Sequence, residues 1–373
     1  MSDLATPLAG LKVVAVEQAV AAPFATARLA DAGAEVIKIE RPEGDFARGY
    51  DAAARGQSSY FVWLNRGKTS RVLDLGAAAG KADLARLIET ADVLVQNLKP
   101  GALARLGFDL AALHAAHPRL ISCSISGYGE DGPLADRKAY DLLIQAESGL
   151  CSITGGPSEP ARVGVSLVDI ATGATAHAAI LEALIGRSIT GRGARLSISM
   201  FDVMADWLTV PLLNHRAGRS PARIGLAHPS IAPYGAFACR DGGLVLLSVQ
   251  SDREWRRLCR DFLDRPELAE HPDFATNLAR VAHRDRTDAL VAAAFAARDT
   301  GPALKALIAA DMAVAQVNDM AGLDRHPALR EITVDTPAGP VRYPAPGPRI
   351  AGARRRYGPV PGLPGGPEEA CTD

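Results

Sequence analysis

Asp169 heads the stretch Ile170–Gly193, in which Ile180, Leu181, Leu184 and Ile185 recur at helical spacing and Gly191 and Gly193 end the run. Aspartate at the start of a helix is a preferred N-cap, because its carboxylate accepts the unpaired backbone N–H groups of the first turn. Spacing alone therefore reads Asp169 as a cap. Cations gather elsewhere: Arg41 after Glu40, Lys99 and Arg105 after Gln96, and Arg137 and Lys138 after the Gly127-Tyr128-Gly129 turn. Each alone is an ordinary solvated charge, and Arg41 reads equally well as a surface partner of Glu40 or Glu43. Together they would give an anionic cofactor several anchors, and a cation just past a second strand suits the extra phosphate of coenzyme A or of NADP.

These residues need elements to position them. Leu11–Val16 is a β-branched run, Phe24–Ala32 has helical spacing closed by Gly33, and Glu35–Ile39 is a second strand, which makes a βαβ unit. The alternation continues with a helix over 81–89, a strand over 92–96, a helix over 102–116 and a strand over 119–126. Such alternation predicts a parallel sheet covered on both faces, an α/β Rossmann-like domain, with the loops beyond the strands' carboxyl ends as the ligand site. The first turn, Glu17-Gln18-Ala19-Val20-Ala21-Ala22-Pro23, contains no glycine, so the backbone approach to pyrophosphate in a dinucleotide fingerprint is not available there. Glu40 nonetheless stands where such folds place the carboxylate that binds ribose.

The texture changes near residue 220. Tyr234–Cys239 and Leu244–Val249 flank the hairpin turn Arg240-Asp241-Gly242-Gly243, with helices expected over 252–263 and 285–310. We expect a large first segment over 1–220, a small α/β middle domain over 221–325, and a C-terminal segment over 326–373. That last segment holds a strand-like Ile332–Asp335 and a Pro/Gly-rich tail, Pro359–Pro367, lying extended on a surface.

A chain of 373 residues is long enough for two cores, and 48% hydrophobic with 22% charged residues is a globular balance. The 41 Lys plus Arg against 42 Asp plus Glu give no global field to recruit nucleic acid or an anionic membrane, so neither is an expected partner. No basic and apolar leader opens the chain, and no segment reads as the roughly 20 apolar residues of a membrane span, so the expected location is cytoplasmic. The five cysteines, Cys123, Cys151, Cys239, Cys259 and Cys371, form no CxxC pair and have no His at metal-ligand spacing. They read as reduced, mostly buried thiols, and no metal site is expected.

Several ordered blocks resemble the class III CoA-transferases, the family of formyl-CoA transferase and carnitine CoA-transferase: Pro7–Arg48, NRGKTSRVLDL from Asn65, ADVLVQNLKPGALARLGFD from Ala91, SISGYGEDGP from Ser124, KAYDLLIQAESGL from Lys138, GVSLVDIATG from Gly164 and TGRGARLSISMFD from Thr190. The resemblance implies a Rossmann-like large domain built from both chain ends, a small middle domain, and two chains interlocked as a homodimer. It places the nucleophile on Asp169 and CoA contacts on Val20, Arg41, Asn97, Leu98, Lys99, Arg105 and Lys138. Relatives often carry arginine where this chain has Thr69, so that phosphate contact is either missing here or supplied by Arg71. A turn glutamine that the family holds near the nucleophile is shifted or replaced in Glu17-Gln18-Ala19-Val20. The implied chemistry passes through an aspartyl anhydride and an aspartyl-CoA thioester, with the helix start behind Asp169 and the Gly127–Gly129 turn as expected N–H donors. A CoA thioester is then substrate, and no permanently bound cofactor is implied.

The Arg223–Phe237 segment lacks the glycine run that formyl-CoA transferase closes over oxalate, so oxalate is not an expected acceptor. Arg223, His228 and Tyr234 there, with Tyr140, are the residues expected to meet a second carboxylate, although packing and loop hydrogen bonding account for them equally well. The expected reaction moves CoA from a succinyl-CoA-type donor to itaconate, mesaconate, citramalate or malate. Two alternatives stand beside it: an α-methylacyl-CoA racemase, in which Tyr140-Asp141 would replace a histidine-aspartate pair, and a non-catalytic CoA-binding or NADP-binding protein.

Overall fold

The computed structural model describes residues 4–364. Six parallel strands form one sheet: β1 (Lys12–Val16), β2 (Glu35–Glu40), β3 (Lys68–Val72), β4 (Val93–Gln96), β5 (Ile121–Ser126) and β6 (Arg195–Ser199). Their order is β3-β2-β1-β4-β5-β6, so the chain reverses direction across the sheet between β1 and β4. That switch point leaves a crevice beyond the carboxyl ends of the strands, the place where open α/β sheets bind ligands.

Both faces of the sheet are covered, and the period-2 alternation of β1 shows how. Val13 and Ala15 point toward α1 (Ala21–Asp31) and packed residues such as Ala25, Leu29, Ala176 and Ile180. Val14 and Val16 point the other way, toward Leu84 and Ile88 of α3 (Ala78–Glu89). Between them lies α2 (Ser59–Asn65), capped by the Ser58 hydroxyl. The predicted helix over 102–116 is two helices, α4 (Ala102–Arg105) and α5 (Leu110–Ala116), because Asp109 caps a fresh start by accepting from the N–H of Ala112. Then come α6 (Asp141–Glu147), α7 (Leu150–Ile153) and the long α8 (Leu167–Thr190), which ends at a left-handed Gly191.

The α8 helix corrects one expectation from sequence. Its most apolar 18-residue window has a mean hydropathy of 1.3, so it is long and apolar enough to cross a membrane. In the fold it lies against α1: a Cβ added to Gly173 would meet the Ala21 carbonyl oxygen at 2.4 Å and Phe24 at 2.9 Å. The apolar character of Ala176 and Ile180 is thus that of a core helix packed on a sheet.

The chain divides into two compact units. The first comprises residues up to Cys151, Arg162–Leu213 and the chain from Arg330; the second comprises Ser152–Ala161 and Asn214–Leu329. The breaks therefore fall at 213 and 329 rather than at the expected 220 and 325, and residues 152–161 leave the first segment. Following β6, α9 (Met200–Trp207) and α10 (Thr209–Arg216) lead toward the second unit. That unit holds an antiparallel sheet of β7 (Tyr234–Ala238), β8 (Leu244–Ser248) and β9 (Ala313–Gln316), with Trp255, Phe262 and Phe295 in its core. The stretch 285–310 is broken in two after Ala296, since Asp299 precedes a new helix at Thr300. In the first unit, the hairpin of β10 (Glu331–Val334) and β11 (Val341–Pro344) packs its Val334 with Phe61, Val62 and Val360. The last part of the predicted extended tail, from residue 365, and Cys371 lie outside the described residues. The other four cysteines are free thiols, three of them buried.

Candidate active site

A cleft of about 520 Å³ opens at the switch point, a size suited to a small ligand or part of a larger one. Its floor comes from the first turn, Gln18–Ala21, and from the loops after β4 and β5; Tyr60 of α2 and Asp169 close one side.

The first turn is held in an uncommon shape. Ala19 has φ +63°, a left-handed conformation that costs about 1–2 kcal/mol for a residue with a Cβ. Asp45 Oδ1 accepts from the Ala19 N–H at 3.1 Å. Asn97 takes the neighbouring peptide from both sides, accepting from the Gln18 N–H at 3.0 Å and donating to the Gln18 carbonyl at 2.8 Å. Beneath this turn is a fully buried ionic cluster. Lys38 reaches Asp45 at 2.8 Å and Glu17 at 3.5 Å, and Lys68 reaches the same Glu17 oxygen at 2.6 Å. Two anions and two cations balance, which is what allows them to remain out of water. Burial and the Lys38 charge bring the pKa of the Lys68 ammonium down to about 8, against the pull of Glu17.

The Asp169 side chain is not a cap. The N-cap position of α8 is Ser166, whose side chain makes no capping bond, and Asp169 lies within the first turn. Asp141 of α6 does the capping: its Oδ1 accepts from the Val168 N–H at 2.7 Å and from the Asp169 N–H at 3.2 Å. The other Asp141 oxygen accepts from Gln145 Nε2 at 2.7 Å, and buried Gln145 in turn accepts from the Val163 N–H at 2.9 Å. The Asp169 carboxylate accepts no hydrogen bond among the described residues and faces the cleft. Burial first, and then the adjacent Asp141 charge, push its pKa up to about 7. A carboxylate held this way is poorly solvated and more basic than usual, and both properties strengthen a nucleophile.

One expected source of oxyanion donors is therefore already in use. The N–H groups of Val168 and Asp169 are spent on Asp141, and the Gly129 N–H goes to Ser126 Oγ at 3.1 Å. The turn after β5 still forms part of the wall, and Gly127 is required there, since an added Cβ would meet that of Ala139 at 2.2 Å.

Of the remaining expected residues, Val20, Asn97, Leu98, Lys99, Lys138 and Tyr140 line the same cleft as Asp169. Both ends of the Asn97 amide are committed to the Gln18 peptide, so its side chain shapes the turn. Arg41 and Arg105 are not among the lining residues. Arg41 donates to the Gly44 carbonyl at 2.9 Å and stacks 5.8 Å from the ring of Phe46, itself a lining residue; Arg105 is exposed at the end of α4. Arg71, in β3, is exposed. Glu40 is not free for a ribose: Arg48 binds it through two nitrogens at 2.7 and 2.9 Å, Ser70 donates at 2.6 Å and the Asp45 N–H at 2.8 Å. Arg41 accordingly pairs loosely with Glu43, at 3.9 Å, and not with Glu40.

Arg223, His228 and Tyr234 belong to the second unit and are occupied there. The Arg223 guanidinium donates to the carbonyls of Ser152, Gly156 and Pro157 at 3.1 to 3.5 Å. His228 stacks on Tyr234 with centroids 5.1 Å apart and accepts the Ser230 N–H. Packing and loop hydrogen bonding are what the structure displays for these residues. Sequence reasoning missed Asp45, Tyr60, Arg162 and Ser166. Of these, Arg162 and Ser166 carried a signal, lying seven and three residues before Asp169 in or beside the same block.

Known proteins are similar to this chain along nearly its whole length. Residues 8–365 match the family described as CoA-transferase family III. A succinate–glutarate CoA-transferase of Agrobacterium fabrum is 40% identical over 294 residues, covering 76% of this chain and 73% of that protein. An acetyl-CoA:oxalate CoA-transferase of Acetobacter aceti is 37% identical over 350 residues, 93% of this chain and 90% of that one. Among solved structures, a CAIB/BAIF family protein from Brucella suis superimposes with a TM-score of 0.81 at 36% identity, covering 94% of each chain. With its Rossmann-order sheet and its match along nearly the whole sequence, this chain belongs to CoA-transferase family III and is a class III CoA-transferase.

Proposed function

We propose that the enzyme moves CoA from succinyl-CoA to a short dicarboxylic acid, with Asp169 as the covalent nucleophile. The observation that carries this reading is the Asp169 carboxylate, unbonded in the cleft while Asp141 performs the structural task that Asp169 would otherwise have. Asp169 attacks the thioester carbonyl, the C–S bond breaks, and CoA leaves as thiolate from a mixed anhydride. The thiolate then attacks the aspartyl carbonyl, releasing the donor acid and leaving an aspartyl-CoA thioester. The acceptor carboxylate attacks that thioester, expelling thiolate and forming a second anhydride; thiolate attacks its acyl carbonyl, giving the new acyl-CoA and free Asp169. Every attacking and leaving group is an anion, so no general base is needed. Lys99 and Lys138, on the loops after β4 and β5, are the cleft cations available to CoA phosphates, with Arg41 and Arg105 further out.

Glutarate, mesaconate, citramalate, itaconate and malate are the acceptors we expect, and the two relatives above are named for dicarboxylic acids as well. Oxalate, named for one of them, belongs in the same test. A matrix of acyl-CoA donors against mono- and dicarboxylic acids, read by mass spectrometry, checks the reading. Hydroxylamine trapping during turnover should mark Asp169, and turnover without any such mark would refute the covalent step. A racemase is the less supported reading, because Asp141 is committed to the head of α8 and is not free to move protons. We further propose a cytoplasmic, interlocked homodimer; Trp207, Val210 and Leu213 leave 56%, 68% and 56% of their surface exposed along α9 and α10, an apolar strip that a second copy would cover. A monodisperse monomer in light scattering would refute the dimer.

A further inference from the structure

We propose that Arg162 binds the remote carboxylate of the dicarboxylic substrate. This rests on the substrate class proposed above and names the residue that would enforce it.

Four cations line the cleft: Lys99, Arg137, Lys138 and Arg162. Arg137 is neutralised, since it pairs with Glu147 at 2.5 Å and lies over the Tyr128 ring at 5.4 Å. Lys99 and Lys138 follow the carboxyl ends of β4 and β5, where a phosphorylated ligand crosses a parallel sheet. Arg162 comes from the other wall, the segment that runs into α8, and among the described residues it has neither an ion pair nor a hydrogen bond.

Its backbone is nonetheless well placed. Gln145, which is buried, accepts from the Val163 N–H at 2.9 Å and donates to the Val165 carbonyl at 3.4 Å. The same side chain bonds Asp141, which holds the N–H groups of Val168 and Asp169. One glutamine and one aspartate thus fix the chain from the residue after Arg162 to the nucleophile, so the two ends of the segment keep a set separation. No ion pair or hydrogen bond joins Arg162 to Asp169 among the described residues, so the guanidinium is not paired with the nucleophile. A molecule with a carboxyl group at each end meets both requirements, one end at Asp169 and the other in the planar fork of Arg162, which matches carboxylate bidentately. Donor and acceptor react in turn at the same Asp169, so the free carboxylate of a succinyl donor and that of the incoming acid would use the same arginine.

The test compares glutarate with pentanoate, its equal-length monocarboxylate, as acceptors from succinyl-CoA and from acetyl-CoA, in wild type, Arg162→Gln and Arg162→Lys. We expect Arg162→Gln to lower kcat/KM for glutarate by about 10–100-fold, the size of a lost charge-assisted contact. Transfer from acetyl-CoA to pentanoate should change less than about twofold, and Arg162→Lys should recover part of the glutarate rate. With acetyl-CoA as donor, equal losses for both acids, or no loss for either, would overturn the role of Arg162 while leaving the transferase reading intact. Wild-type enzyme that treats pentanoate as well as glutarate would overturn the dicarboxylate reading, and this inference with it.

Discussion

Replacing Asp169 by Asn should abolish transfer and, at neutral pH, make the protein more stable. A capping aspartate would behave in the opposite way, since its loss costs about 0.5–2 kcal/mol. The difference follows from the unpaired carboxyl. Burial and Asp141 raise the pKa of Asp169 from the ordinary 3.8 to about 7. Each unit corresponds to about 1.4 kcal/mol, so the ionised form burdens the fold by at most about 4 kcal/mol, and partial solvent access reduces this to about 2. The sign follows from where the proton sits. Below about pH 4 the carboxyl is neutral in both folded and unfolded chains and imposes no penalty. Between 4 and 7 the unfolded chain ionises while the folded one keeps its proton, so wild type loses stability as pH rises; above about 7 the penalty is complete. Asparagine keeps the shape without the charge. Thermal melts of wild type and Asp169→Asn without CoA should coincide near pH 4 and separate by roughly 2–4 °C at pH 8, the variant melting higher. A variant that melts lower at pH 8, or a gap that does not change with pH, would mean that Asp169 is not an unpaired, under-solvated carboxyl.

Other outcomes follow from the same contacts. Asp141→Asn keeps an acceptor for the head of α8 but removes the charge beside Asp169, so the acid limb of kcat/KM against pH should move to lower pH, by less than the full shift because burial is the larger cause; an unmoved limb would mean that this charge does not reach the nucleophile. Glu40, although desolvated, has its pKa held down to about 2 by Arg48, Ser70 and Lys38, so it contributes stability above about pH 4.5 that disappears as pH falls through 2. Glu40→Gln should accordingly lose about 3 kcal/mol in urea melts at pH 7 and progressively less in acid. Lys138→Ala should weaken CoA binding about tenfold in low salt and less in high salt, with Arg41→Ala and Arg105→Ala weaker in effect because both lie outside the cleft. Titration calorimetry at two ionic strengths would reveal the opposite ranking if CoA instead crosses the outer loops.

The sheet was legible where strands alternate plainly with helices, as in Leu11–Val16 and Glu35–Ile39, because apolar runs bounded by a glycine-closed helix admit few other folds. It was not legible at β3, Lys-Thr-Ser-Arg-Val, or at β6, Arg-Leu-Ser-Ile-Ser, whose polar residues hide strands fixed by their neighbours. Lys68 is buried only because Glu17, fifty-one residues earlier, waits for it. The helix break at Asp109 was visible as a capping residue, yet an apolar pattern on either side overrode it, and Asp299 stands at the second break without a capping side-chain bond. Within the site, Val20 and Asn97 came from resemblance and Lys99 and Lys138 also from their place beyond the strands, but their tasks did not. No local pattern reveals that Asn97 spends its amide on the Gln18 peptide, or that Arg223 clamps three carbonyls.

Asp141 and Asp169 show most clearly why residue type underdetermines role. Each is an aspartate at the start of a helix, each adjoins the cleft, and either satisfies the sequence rule for an N-cap. What separates them is the allocation of N–H groups. Asp141 receives three, two from the α8 backbone and one from Gln145, while Asp169 receives none among the described residues. Had the bonds been shared, Asp169 would be a stabilised, weakly nucleophilic carboxylate and the head of α8 would still be capped. Giving them all to Asp141 keeps the helix start satisfied and leaves the second carboxylate under-solvated, less stable in its charged form, and so readier to share its electrons with an acyl carbon. The stability lost at Asp169 and the reactivity expected of it then have one physical origin, so a substitution that restores hydrogen bonds to Asp169 should raise the melting temperature and lower the transfer rate together.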